Sequence, residues 1–180
     1  MKKIIATVLT VLCAATLFAD NLVKNGDFKN IVKGKAAFWA VTGGCKVTFS
    51  ADGAPEGGLV RVDATSDVKG DFSLRQNMTA VLRPNTPYKV SAKVRGTNFQ
   101  ANSYGLIFIN EGWSKSSGIR KFPVTGEWTK IEAAVTTPDY KKEVTLVLHA
   151  NGAFGVLEVA DVKVEPVAGS ASKAPSNRTK

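Results

Sequence analysis

The run Tyr88-Lys89-Val90-Ser91-Ala92-Lys93-Val94-Arg95 alternates apolar and polar residues with a period of two. Successive side chains of a strand point to opposite faces, so this pattern predicts a strand buried on one side and wet on the other. The same rule predicts further strands over 21–28, 37–41, 46–50, 59–64, 72–78, 104–110, 118–122, 128–136, 144–150 and 155–164. Between them lie turn formers: Asp52-Gly53, Glu56-Gly57-Gly58, Pro84-Asn85, Arg95-Gly96, Thr125-Gly126, Pro138-Asp139 and Asn151-Gly152. Helical periodicity is almost absent past the N-terminal apolar run. Many short strands at this spacing indicate an all-β sandwich or barrel. The strand count fits a two-sheet antiparallel jelly-roll sandwich with one curved face.

The ends read differently. Lys2 and Lys3 precede a nearly unbroken apolar run over 4–18, and Ala19 precedes the polar Asp20. This is the layout of a secretory signal peptide over 1–19, too short for a membrane span. Cleavage after Ala15 is the alternative to cleavage after Ala19. A lipid anchor on Cys13 is disfavoured by Leu12, which stands where a small residue is expected. The expected domain therefore covers 20–167, and the protein is expected to be secreted or periplasmic. Residues 168–180 carry no large apolar side chain and are rich in Ser, Ala, Pro and Lys. Such a segment cannot bury enough surface to offset its ordering entropy, so a disordered tail is expected.

Removal of the leader leaves Cys45 alone, which excludes an internal disulfide and a cysteine metal cluster. It is expected as a buried thiol in a strand. The formal charge of +9 includes Lys2 and Lys3 of the leader, and what remains without them is still clearly basic and suits anionic partners. The basic residues are scattered at strand spacing, and no nucleic-acid motif occurs. Catalytic signals are missing too. His149 is the one histidine, no Gly-x-Ser-x-Gly occurs, and no spacing marks a carboxylate pair of the kind glycoside hydrolysis requires. The protein is not expected to be an enzyme.

Several segments taken together carry a resemblance. NLVKNGDFKN (21–30) followed by Trp39, FSLRQNMTAVLRPNTPYKVSAKVRG (72–96), TGEWTKIEAAVTTP (125–138) and EVTLVLHANGAFGVLEVADVKVEP (143–166) occur in this order. In order and spacing they resemble carbohydrate-binding modules of the family 4, 9 and 22 type, over nearly all of 21–166. The resemblance implies a galactose-binding-domain-like jelly roll that docks a polysaccharide or oligosaccharide on its concave sheet without catalysis. Acidic glycans would be favoured by the positive charge. The alternative is an exported structural or protein- or envelope-binding β-sandwich with no sugar site.

The resemblance also suggests site residues. Trp39 and Trp128 occupy positions the family uses for packing. Trp113 lies in the polar, glycine-bearing loop after the apolar strand 104–110, and is either a ligand platform or a lid on the core. Planar aromatics suit sugar rings because they offer area with little rotamer entropy to lose. Phe72 lies where the family often puts a platform aromatic. Gln76, Arg95, Tyr104, Asn110 and His149 are the further carbohydrate-binding candidates, with Lys93 beside Arg95. The family fold often holds a structural calcium, for which Asp27 and Asp161 are the matching ligands. Lys29 stands where a carboxylate is expected, and a lysine cannot ligate calcium; Ala160 likewise replaces a common Asp.

Overall fold

The computed structural model describes residues 20–64 and 70–167. The expected signal peptide (1–19) and tail (168–180) lie outside the described residues. In chain order the strands are β1 (Ile31–Val32), β2 (Lys35–Ala36), β3 (Ala40–Gly43), β4 (Lys46–Ala54), β5 (Gly57–Ala64), β6 (Gly70–Asn77), β7 (Pro87–Gln100), β8 (Ser103–Asn110), β9 (Ser116–Arg120), β10 (Thr129–Thr136) and β11 (Val144–Pro166). Among the described residues the one helical turn is Glu111–Trp113, of the 3-10 type. No helix among them is long and apolar enough to cross a membrane.

β1 and β2 form a small separate hairpin, and the other strands build two antiparallel sheets. Sheet one runs β3-β6-β11-β8-β9 and sheet two runs β10-β7-β11-β5-β4. Both contain β11, whose first part pairs with β6 and β8 and whose second part pairs with β5 and β7. The register shifts between Ala150 and Ala153. There Gly152 (φ +60°) and Gly155 (φ +85°) let the strand leave one sheet for the other. The period-two reading places 144–150 and 155–164 in separate strands; they are one bent strand, because the glycines bend it without ending its pairing.

The expected jelly-roll sandwich is the fold observed. Its core is the set of inward positions from both sheets: Leu74, Phe108, Leu146 and Leu148 from sheet one, and Val60, Val90, Val94 and Leu157 from sheet two. Phe28 closes one end, fully buried, with Trp39 and Phe49 at ring-centroid distances of 5.5 and 6.1 Å.

The expected first strand over 21–28 is not a strand. Asn25 and Phe28 adopt positive φ, and the segment runs as turns. Its polar groups are satisfied along the end of β11: Leu22 N–H donates to Val164 O at 2.9 Å, and Val162 N–H donates to Gly26 O at 2.9 Å. The Asn-Gly-Asp breakers win over the apolar alternation around them.

Candidate functional site

The outward face of sheet one is built in three rows that its register fixes. One row reads Ala40, Arg75, Val147, Ile107 and Gly118; a second reads Asn77, Thr145, Ile109 and Ser116; a third reads Thr42, Ser73, His149, Gly105 and Arg120. Ile107, Ile109 and Val147 are buried although they point away from the core, and they form an apolar cluster of their own. The unbroken apolar run Leu106-Ile107-Phe108-Ile109 in β8 is the sequence trace of this floor, because a strand covered on both faces loses its alternation.

A groove lies over the floor in two adjoining sections of about 490 and 390 Å³ that share Arg75, Ile109 and Trp113. Phe38 and Trp113 both line the larger section, and they stay 60% and 55% exposed. Both sit in the left-handed backbone region, at φ +70° and +59°. That region costs a bulky L-residue roughly 1–2 kcal/mol, so each aromatic is held outward against its local preference. The Arg75 guanidinium lies 4.6 Å from the Trp113 ring centroid, and the Lys24 ammonium lies 5.3 Å from that of Phe38.

The loop that presents Trp113 is clamped twice. Asn110 Oδ1 accepts the Lys115 N–H at 2.9 Å. The Glu111 carboxylate accepts backbone N–H groups of Lys141 (2.9 Å), Lys142 (3.3 Å) and Glu143 (3.3 Å). The Lys141 N–H foremost among these holds the Glu111 carboxyl below the usual range. At the other end of the groove Ser73 Oγ lies 3.1 Å from Thr42 Oγ1 and accepts Arg75 Nε–H at 2.8 Å. His149 lines the smaller section with its Nε2 buried and without a hydrogen-bond partner. Burial pushes the imidazole pKa down; Arg120 acts in the same direction and Asn151 opposes them.

Of the sequence candidates, the structure brings Trp113, Asn110 and His149 to this groove; Phe72 borders its smaller section but is buried, and Gln76, Tyr104 and Arg95 lie elsewhere. Phe72 is 3% exposed; its side chain shares the core-facing side of β6 with Leu74, because Ser73 and Arg75 hold the outward parity. Gln76 has that inward parity as well, and its amide clamps Lys24, donating to Lys24 O and accepting Lys24 N–H, each at 2.8 Å. Tyr104 packs edge-on against Phe99 and Phe122 and donates its hydroxyl to Phe122 O at 2.8 Å. Arg95 belongs to sheet two, where it pairs with Glu158 and lies 4.6 Å from the Trp128 ring centroid. Lys93, on the same strand, pairs with Glu56. Trp39 packs in the core as expected, whereas Trp128 is only partly buried, beneath Arg95. Phe38 is the groove aromatic that pattern reading misses. Its one signal is its place beside Trp39, where only one of two adjacent aromatics can face the core.

Asp27 and Asp161 do come together, at a small pocket that Glu56, Gly57, Gly58 and Lys93 also line. Each carboxylate there has an ammonium partner. Asp161 meets Lys163 at 2.9 Å, Asp27 meets Lys29 at 3.9 Å, and Glu56 bonds Lys93. Among the described residues no group of three or more His, Cys, Asp or Glu side chains is arranged to hold a metal ion. Calcium takes several hard oxygen ligands, and the carboxylates of this corner are each already engaged by an ammonium group.

A family model described as a carbohydrate binding domain matches residues 20–153. No curated protein sequence matches. Among solved structures, TmCBM61 in complex with beta-1,4-galactotriose superposes with a TM-score of 0.61 at 18% identity, covering 83% of this chain and 100% of that one. The CBM22-1 xylan-binding domain from Paenibacillus barcinonensis Xyn10C gives 0.58 at 14% identity, covering 83% of this chain and 97% of that one. The enzymatically active domain of bacteriophage CBA120 tailspike protein 4 gives 0.62 at 11% identity, covering 82% of this chain but 21% of that one. At such identities the likeness establishes the fold.

Proposed function

The chain belongs to the carbohydrate binding domain family, and from that premise we propose that the groove on sheet one docks a glycan reversibly and without catalysis. The observation that carries this reading is the pair Phe38 and Trp113. Two exposed aromatics, both held at positive φ, wall a groove floored by Ile109 and, in its adjoining section, Ile107. Sugar rings would lie against the aromatics, with Arg75, Asn77, Ser73 and His149 offering hydrogen bonds to hydroxyls. The superposed modules named for galactotriose and for xylan make a neutral or substituted plant-type polysaccharide a reasonable first probe.

Three observations support the finer points. Of the groove carboxylates, Glu111 is held ionised by backbone N–H groups. A glycosidase acid needs the opposite, a carboxyl kept protonated. The leader-like run before Asp20 supports export. The net charge of +9 supports steering of acidic glycans. A formed groove with strained aromatics also weighs against a purely structural role. At the Asp27–Asp161 corner we propose that lysines take the place of a cation.

Affinity gel electrophoresis on a polysaccharide panel tests the reading. Retardation on at least one polymer is expected, weakened about tenfold or more in Trp113→Ala and in Phe38→Ala. Absence of retardation on every polymer tried overturns it.

A further inference from the structure

The arginines of the two sheets differ in their partners. On sheet two, Arg61 meets Glu158 at 3.0 Å and Arg95 bonds the same carboxylate. On sheet one, Arg75 and Arg120 line the same section of the groove, and neither has an ion-pair partner among the described residues. Each instead gives a hydrogen bond to a serine. Arg75 Nε donates to Ser73 Oγ at 2.8 Å, and Arg120 Nη2 donates to Ser116 Oγ at 2.7 Å. The Arg75 guanidinium also lies 4.6 Å from the Trp113 ring centroid. The one carboxylate lining this section, Asp71, is turned to Gly152 N–H at 2.7 Å. His149 stands in the row between Ser73 and Arg120, with its Nε2 unpartnered.

The half-buried Arg75 guanidinium, beside an apolar floor, has given up part of its water, and neither it nor the exposed Arg120 has an ion-pair partner among the described residues. A neutral sugar would leave that imbalance in place. A carboxylate corrects it, because its planar oxygens match the guanidinium fork and charge-assisted hydrogen bonds are the stronger ones. We infer that this end of the groove receives the carboxylate of a uronic acid residue, and that Arg75 and Arg120 set the preference for acidic glycans. The inference rests on the groove being the glycan site. Stacking on Phe38 and Trp113 then holds the neighbouring sugars, and the two arginines select the charged one.

The test compares polygalacturonate and glucuronoxylan with the carboxyl-reduced form of each, with carrageenan as an anionic polymer whose charge is sulfate. The protein should bind the acidic forms about tenfold or more tighter than the reduced forms. Arg75→Gln and Arg120→Gln should each remove most of that preference. Lys46→Gln, an equal loss of charge on an exposed residue of β4, should keep it. Arg120 is exposed, so its variant keeps the test readable if Arg75→Gln disturbs the Trp113 contact. Equal binding of acidic and reduced polymers, equal weakening by Lys46→Gln, or carrageenan binding as tight as polygalacturonate overturns the inference. If neutral polymers bind through Trp113 with no acidic preference, the groove stands as a glycan site and the carboxylate subsite falls. If no polymer of either kind binds, both fall.

Discussion

His149 shows how one side chain on the groove can link binding and stability to pH. Its Nε2 is buried without a partner, and burial lowers its pKa from the ordinary value of about 6.5. The charged groups that share its section of the groove are Arg75, Arg120 and Asp71, two cations against one anion. The folded protein therefore prefers the neutral ring, and the unfolded chain takes up a proton first as pH falls. Stability is thus lost as pH drops through about 6.5, and the loss is complete once pH is below the folded pKa. Melting temperature measured at pH 7.5 and pH 5.5 should fall for the wild type by more than for His149→Gln, by an amount on the order of a degree or two. Equal falls for the two proteins would show that another group titrates in this window.

At the scale of elements, β11 joins the two sheets, pairing with β6 and β8 in one and with β5 and β7 in the other. The crossing depends on Gly155, whose φ is +85° and where a Cβ would lie 2.3 Å from the Asn98 carbonyl oxygen. Gly155→Ala should cost about 2 kcal/mol or more, read from chemical denaturation, because strain and collision add. A cost below about 0.5 kcal/mol would show that the crossing can relax. Alternation revealed nearly every strand and the sandwich, because one wet and one dry face is a local property of each strand. It did not reveal that 144–150 and 155–164 are one element, since Asn151-Gly152 has the chemistry of a turn and continuity is a matter of long-range pairing. The site divides in the same way. His149 was legible from its parity with Thr145 and Val147, and Trp113 from its polar loop. Family resemblance points Phe72 and Gln76 to the groove, but their parity with Leu74 turns their side chains inside. Arg95 belongs to the other sheet, which only the pairing of β7 reveals. Phe38 has no periodic signature, because a positive φ aims it and nothing in the residue type announces that.

At the scale of the whole molecule, the corner where the first turns meet the end of β11 is held by pairs of opposite charge. Asp27, Glu56 and Asp161 face Lys29, Lys93 and Lys163. The hydrogen bond from Lys93, with further help from the nearby Lys163 charge, keeps the Glu56 carboxyl below the usual range. Lys163 is raised, chiefly by its hydrogen bond to Asp161. The side chain of Lys29 also occupies space: a Cβ on Gly57 would lie 2.2 Å from its Cε. A divalent ion entering here would have to displace ammonium groups already bonded to the carboxylates it needs, and one of them fills the approach. Surface ion pairs of this sort are individually weak, yet together they neutralise the corner. The melting temperature should therefore be the same in millimolar calcium and in excess chelator. Lys29→Glu supplies a carboxylate and removes the blocking ammonium, and its melting temperature should rise when calcium is added. A calcium-dependent rise in the wild type would mean that the lysines yield to the ion, and a Lys29→Glu protein as indifferent as the wild type would mean that Lys93 and Lys163 alone suffice to exclude it.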